Sequence, residues 1–232
     1  MPVDRARPRL LVVQAAALGQ ELLQRHGAAA GMPSGMPFAS LEPVFPAVTC
    51  TAQAGLRTAA RAERHGIVGN GWLDRVTRKT TFWEQSSALV AGERIWSKAR
   101  AAGARVALLF WQQSLGENVD MLLSPAPIHK HDGGMLMDCY SRPESLYPAL
   151  IERQGRPFRL RQYWGPLASA RASRWIAQAT AEVLRGTVAP APDLCLTYLP
   201  ALDYDLQRYG PEHPRAPAAL RALAGDLALL KQ

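Results

Sequence analysis

Thr49 ends an apolar run, Val44 to Val48, and opens a helix-like segment, Cys50 to Arg61. A hydroxyl at such a strand-to-helix junction faces the first free backbone N–H groups and the positive end of the helix dipole. That position attracts a phosphate group and lowers the cost of forming a Thr alkoxide. The same placement suits a plain N-cap, the commoner role of Thr at a helix start. Cys50, next in the chain, is a conceivable thiol nucleophile, but no ordered base for it can be named.

Further polar residues lie downstream. His129 and His131, beside Asp132, have a spacing that turns both imidazoles to one face of an extended segment, as a metal site requires. They fall in the polar, Gly- and Pro-containing stretch Asp120 to Cys139, so a surface loop or a lid over a site is the competing reading. Asp203 and Asp205 follow the apolar run Leu194 to Leu199. A carboxylate just past the carboxyl end of a parallel strand lies where α/β sheets bind ligands. A turn fixed by Asp203 hydrogen bonds explains the same residues equally well.

The wording around Thr49 carries more than its local pattern. Pro46-Ala47-Val48-Thr49, then Thr58 through His65-Gly66-Ile67-Val68-Gly69-Asn70, resembles the type I phosphodiesterase/nucleotide pyrophosphatase family of the alkaline phosphatase superfamily. The resemblance implies that Thr49 is the nucleophile and that Asn70, 70 − 49 = 21 positions on, holds a phosphate oxygen through its amide. Ala59 and Ala62 stand where the family has Gly and Pro, a departure that affects a turn. The family's first strand ends in a metal-binding Asp. Here that place falls to Ala16 or, by a shift of two, to Gln14. Asp203, Gly210 and Pro211 match a later metal-binding pattern, with Gln207 at the His position and Leu206 at the Gly. Gln is a neutral oxygen donor, much weaker than imidazole for zinc.

The resemblance therefore implies a divalent metal, zinc foremost, held by Thr49 and Asp203, with Asp205, Gln207, His129 and His131 as additional candidates. Its substrate would be a small phosphate ester or nucleotide, hydrolysed through attack of Thr49 on phosphorus. The alternative is an inactive or truncated relative that binds phosphate-containing ligands through Asn70 and the helix N-terminus without metal. The family's later ligand-bearing segments have no counterpart after the last helix-like stretch, so residues 1–232 read as one domain matching the front portion of the family fold.

The elements that position these residues follow from apolar patterning. Leu10 to Ala17, Arg105 to Gln112 and Leu194 to Leu199 read as buried strands. Leu18 to His26, Glu93 to Ala102 (Ile95 and Trp96 inward), Ser145 to Gly155, Ser169 to Arg185 and Pro217 to Leu230 read as helices. Trp72 to Glu84 reads as a hairpin or extended loop, and Phe158 to Trp164 as a short extended segment. Strand, helix, strand is the signature of a mostly parallel sheet, here an alkaline-phosphatase-like three-layer α/β/α sandwich.

The chain has 232 residues and a formal charge of +8, spread over scattered Arg rather than gathered into a run. That favours anionic small molecules over duplex nucleic acid. Three cysteines without metal-like spacing suit free thiols in a reducing compartment, so a cytoplasmic location is expected. Arg5 to Arg9 followed by Leu10 to Gly19 could pass for a short signal peptide, but Gln14 and the helix that follows favour a first buried strand. No stretch is long enough to span a membrane.

Overall fold

The computed structural model describes residues 9–33 and 37–231. In chain order the elements are β1 (Leu10–Ala15), α1 (Gln20–His26), α2 (Thr49–Thr58), α3 (Ala62–His65), and the hairpin β2 (Gly71–Asp74) and β3 (Lys79–Phe82). There follow α4 (Ser97–Ala101), β4 (Val106–Leu109), β5 (Met121–Pro125), the small ribbon β6 (Ile128–His129) and β7 (Met135–Leu136), then β8 (Cys139–Arg142) and α5 (Leu146–Gln154). The chain continues through α6 (Ala170–Arg185), β9 (Leu194–Leu199), α7 (Ala201–Tyr209) and α8 (Ala216–Leu230).

Five strands form the central sheet in the order β1-β9-β4-β5-β8. The first four are mutually parallel and β8 runs antiparallel on the β5 edge. Successive residues of β4 feed opposite cores. Ala107 and Leu109 join the cluster built with α5, α6 and α8, whereas Val106 and Leu108 pack with Trp96 and Trp111 on the other face. A strand covered on both faces needs an unbroken apolar run, and VALL supplies one. This is the expected α/β sandwich with a mostly parallel sheet. Among the described residues no helix is long and apolar enough to cross a membrane.

Several expectations of local structure change. Val44 to Val48 forms no strand, so Thr49 stands at a loop-to-helix junction, the cis Phe45–Pro46 peptide lying just before it. The stretch Asp120 to Cys139 is not simply a loop: it opens with β5, wholly buried in the sheet, and ends in β8. Glu93 to Ala102 shortens to the single turn α4. Trp96 is buried as expected, but Ile95 is 46% exposed, because its N–H is spent on the Arg57 carbonyl (2.9 Å) outside any helix. Phe158 to Trp164 folds into a 3-10 turn at Leu160–Gln162, its aromatic rings packed on Phe110 and Trp175. The hairpin over Trp72 to Glu84 and the helices α1, α5, α6 and α8 lie where the sequence places them, within a few residues at each end.

Candidate functional site

The carboxyl ends of β1 and β9, the N-terminal turn of α2 and the start of α7 converge on one cleft of about 1310 Å³. Thr49, Asn70, Tyr198, Asp203 and Gln14 all line it. Parallel pairing puts Gln14 directly beside Tyr198, so the two side chains share a sheet face, the one that carries α2.

Thr49 is the first residue of α2, and Val48, extended at φ −116°, is its N-cap without a side-chain cap bond. The Thr49 hydroxyl is thus not spent on capping. Its partner is the Tyr198 hydroxyl at 3.5 Å, a long contact. Burial pushes the Tyr198 phenol up to about 12, so it keeps its proton and stays a hydrogen-bond donor across the neutral range. Ala52 donates to the Val48 carbonyl at 3.0 Å, which leaves the earlier first-turn N–H groups without intrahelical acceptors. One of them, Cys50 N–H, is satisfied by Asn70 Oδ1 at 3.0 Å. That bond identifies which end of the Asn70 amide is oxygen, and it leaves the NH₂ end uncommitted.

Asn70 is delivered by a tightly determined turn. Gly66 adopts φ +80° at the end of α3, and the buried His65 accepts the Ile67 N–H on Nδ1 at 3.1 Å. Burial, helped by the nearby Arg57 charge, holds the imidazole below its ordinary pKa, which keeps Nδ1 an acceptor. The Asn70 carbonyl then takes the Trp83 N–H at 2.9 Å and anchors the β2–β3 hairpin beside the cleft.

A chain of carboxamides underlies the site, and the sequence gives little sign of it. Gln53, fully buried on α2, accepts the Gln112 N–H on Oε1 (2.6 Å) and donates from Nε2 to Gln14 Oε1 (2.6 Å). Gln112 in turn donates to the Tyr163 hydroxyl (2.9 Å) and accepts from Gln85 Nε2 (2.6 Å). The backbone makes this possible by strain, since Phe110 and Gln113 take φ values of 59° and 52° where the chain leaves β4. Only the alignment of Gln14 with an expected ligand position hinted at this network. Gln53, Gln112, Tyr163 and Tyr198 carry no motif.

The carboxylates do not gather. Asp203 lies in the first turn of α7 rather than in a turn of its own, and burial holds its carboxyl above the usual range. Its Oδ2 accepts from Gln207 Nε2 at 2.5 Å, an i,i+4 bond within the helix. Asp205, two residues on, faces away because two helical steps rotate a side chain by about 200°. It does not line the cleft, whereas Asp203, Tyr204, Gln207 and Arg208 do. His131 is exposed between β6 and β7, away from the cleft. The side chain of His129 lies outside the described residues. Ala16 lines the cleft but offers no ligand atom. Cys50, buried with its thiol pushed up to about 11 by desolvation, is poorly disposed to act as a thiolate nucleophile.

Among the described residues no three His, Cys, Asp or Glu side chains lie together as a metal site requires. Around Thr49 the donors are two carboxamides, a protonated phenol and one carboxylate already bonded to Gln207. That set does not fit zinc, which takes thiolate, imidazole and carboxylate ligands in fours.

A sequence model described as type I phosphodiesterase / nucleotide pyrophosphatase matches residues 24–232. The chain belongs to that family. No curated protein sequence matches it. Among solved structures it is similar to phosphonoacetate hydrolase from Sinorhizobium meliloti 1021 in complex with phosphonoacetate, at 19% identity and a TM-score of 0.65, covering 97% of this chain and 53% of that one. It is also similar to murine ectonucleotide pyrophosphatase/phosphodiesterase 5, at 19% identity and a TM-score of 0.60, covering 96% and 52%. An inactive variant of that murine protein in complex with AMP aligns likewise, at 19% identity, a TM-score of 0.61 and 97% and 52% coverage. The chain spans about half the length of these solved relatives, and at such identities the likeness establishes the fold. This member of the type I phosphodiesterase/nucleotide pyrophosphatase family has an α/β sandwich with Thr49 and Asn70 lining one cleft, and its described residues hold no metal-binding cluster.

Proposed function

We propose that the cleft binds the phosphate group of a small phosphate ester or nucleotide, and that Thr49 attacks phosphorus in a divergent phosphodiesterase- or nucleotide-pyrophosphatase-like hydrolysis. One observation carries the reading. The Thr49 hydroxyl, held only by the long Tyr198 contact, and the Asn70 NH₂, without a partner among the described residues, stand at the N-terminus of the same helix, with Asn70 locked there by the Cys50 N–H. The helix end supplies positive potential, and α2 has no acidic residue in its first turn to cancel it. A phosphate seated there would take the Asn70 amide on one oxygen and leave phosphorus facing Thr49 Oγ1. Displacement would form a Thr49–phosphate ester and release the alcohol, and water would then cleave that ester to regenerate the hydroxyl.

A second reading, phosphate-ester binding without turnover, is favoured by the proton inventory. Deprotonating Thr49 needs an acceptor, yet its neighbour Tyr198 is a protonated phenol and the Asp203 carboxylate is engaged by Gln207. Both readings share one phosphate position and differ only in chemistry.

The test is hydrolysis of a chromogenic phosphodiester by the purified chain and by Thr49→Ala. The nucleophile reading expects turnover to fall by at least about a hundredfold, since Ala offers no oxygen for the covalent step. Equal rates in the two proteins would remove Thr49 from the mechanism. Binding of AMP with no turnover in either protein would leave the second reading standing.

A further inference from the structure

Among the described residues the cleft beside Thr49 holds no cluster of metal-ligating side chains, but it is rich in other polar groups. Two carboxamides, Gln14 and Asn70, reach it from opposite sides, and each has its oxygen end identified by a backbone donor. For Asn70 the donor is Cys50 N–H directly (3.0 Å). For Gln14 the donor acts through Gln53. The backbone N–H of Gln112 must bond to an oxygen, so the Gln53 atom it meets is Oε1. The other end of Gln53, Nε2, is then a donor, and the Gln14 atom it meets at 2.6 Å is Oε1. Gln53 and Gln112 are buried, so the sequence of donors and acceptors cannot be reversed without orphaning a backbone N–H.

The NH₂ groups of Gln14 and Asn70 are therefore the ends left over. Neither makes a hydrogen bond among the described residues, and both residues line the cleft. Tyr198, register neighbour of Gln14 and 95% buried, adds a hydroxyl whose sole partner among the described residues is the long contact to Thr49. The first turn of α2 contributes its dipole. The charged residues that line the cleft are Asp203, with an oxygen on Gln207, Arg208, which donates to the Pro166 and Ala168 carbonyls, Glu42 and Arg61.

The geometry points to a metal-independent oxyanion site, in which the Gln14 amide takes over the charge-stabilising role that a metal would fill and donates to a phosphate or phosphonate oxygen together with Asn70 and Tyr198. Gln14 is thus a further ligand-binding residue of the site. The inference rests on the phosphate position given under the proposed function and adds to it how the anion is held. A preorganised set of neutral donors does not repel a second negative charge and loses no ligand to chelation. Inorganic phosphate should bind the chain equally well with or without zinc.

The experiment is calorimetric titration of the full purified chain with inorganic phosphate, once in EDTA and once with zinc, for the wild type, Gln14→Glu, Gln14→Met and Asn70→Ala. Gln14→Glu keeps an oxygen for Gln53 Nε2 but replaces the donating NH₂ with a second oxygen. Gln14→Met removes donor and acceptor at similar length. Thermal melts identify any variant that has failed to fold, and the other then decides. The inference expects wild-type affinity to be unchanged by EDTA and both Gln14 variants to lose about tenfold to a hundredfold, the loss expected for a hydrogen bond to a charged group. It also expects Gln14→Glu to bind zinc where the wild type does not. Phosphate binding that EDTA abolishes and zinc restores would overturn the metal-independent site and keep the Thr49–Asn70 position. Loss on Asn70→Ala with both folded Gln14 variants unaffected would overturn the role of Gln14 alone. No phosphate binding by the wild type in either buffer would overturn this inference and the phosphate position together.

Discussion

Replacing Glu117 by Gln should loosen the helix that carries Thr49, although Glu117 is remote from the cleft. Arg57, in the last turn of α2, is fully buried and donates to the Gln113 carbonyl (2.7 Å) and to Glu117 Oε1 (3.2 Å). Arg94 reaches the same carboxylate oxygen from Nε at 2.6 Å, and Glu117 is only 5% exposed. Two guanidinium groups thus share one buried carboxylate. Burial lowers the Arg57 pKa to about 10 in spite of that partner, so the group stays charged at neutral pH and pays a desolvation cost that Glu117 offsets. Gln keeps the shape and one acceptor but removes the charge, leaving Arg57 uncompensated. Breaking a buried pair from one side costs about 3–5 kcal/mol, and the retained acceptor argues for the lower end, about 3 kcal/mol.

Urea unfolding at pH 7 would read that loss as a shift in midpoint at constant slope. Replacing both partners, Arg57→Met with Glu117→Leu, should recover most of the loss, because an apolar pair of similar size needs no compensation. Phosphate affinity should fall in Glu117→Gln and return in the double variant if the pair serves to hold α2 in place. A loss below about 1 kcal/mol for Glu117→Gln would refute the view that this cluster fixes the helix.

Two other outcomes follow from particular positions. Asp226 on α8 is 98% buried against Arg174 (3.1 Å), with its other oxygen unpartnered, and desolvation raises its carboxyl from 3.8 to about 6. The folded state therefore binds its proton more tightly than the unfolded chain does, so this group's contribution to stability falls as pH rises from about 4 to about 6. The difference, 6 − 3.8, corresponds to about 3 kcal/mol, so the stability of Asp226→Asn relative to wild type should improve by about that much between pH 4 and pH 7 in paired urea melts. An unchanging gap would show that Arg174 already compensates the charge. Ala59, the left-handed C-cap of α2 at φ 51°, occupies the place where the resemblance expects Gly. Ala59→Gly should stabilise the chain by about 0.5–1 kcal/mol in the same assay, relief of the Cβ strain exceeding the entropy Gly adds to the unfolded state.

The parts of the fold that were legible in the sequence are those whose burial is continuous along the chain. VALL and LCLTYL each declare a strand covered on both faces, whereas LLVVQA, which reads as equally buried, forms the half-buried edge strand β1 with Leu10 59% exposed. MLLSP declares none, because its run is short, ends in Pro125 and sits among polar residues, although every one of its side chains is buried. The antiparallel edge strand CYSR has no apolar period at all. The site divides in the same way. That Thr49 and Asn70 lie together was legible, because both fall within one local stretch of sequence. Gln53 meets Gln14 across 39 residues and Gln112 across 59, and no window of sequence reports a pairing at that range. Asp203 and Gln207 were legible as a pair of positions but not as an intrahelical hydrogen bond, since a short segment between Pro200 and Gly210-Pro211 reads as a turn.

The two ends of α2 are held by opposite physics, and this bears on what the site can bind. At its C-terminal end the helix is tied by ionised groups, the buried Arg57 and the partly exposed Arg94 on the buried Glu117. At its N-terminal end the ties are neutral amides, Asn70 on Cys50 N–H and Gln53 on Gln112 N–H. Reversing that assignment would spoil the site. An ion pair at the N-terminus would place a carboxylate where the proposed anion would sit, and like charges in low dielectric repel strongly. Neutral carboxamides can be anchored there at full hydrogen-bonding strength while adding no charge of their own, so the helix end stays positive with respect to the cleft. Asp203, a carboxylate that lines the cleft, tests the scheme. Its raised pKa means that lowering the pH neutralises it earlier than a surface Asp, which should strengthen rather than weaken anion binding as pH falls. Asp203→Asn should abolish that increase while preserving a partner for Gln207. Phosphate titrations of the two proteins across the carboxylate range would show it, and an identical pH dependence in both would mean that Asp203 does not face the bound anion.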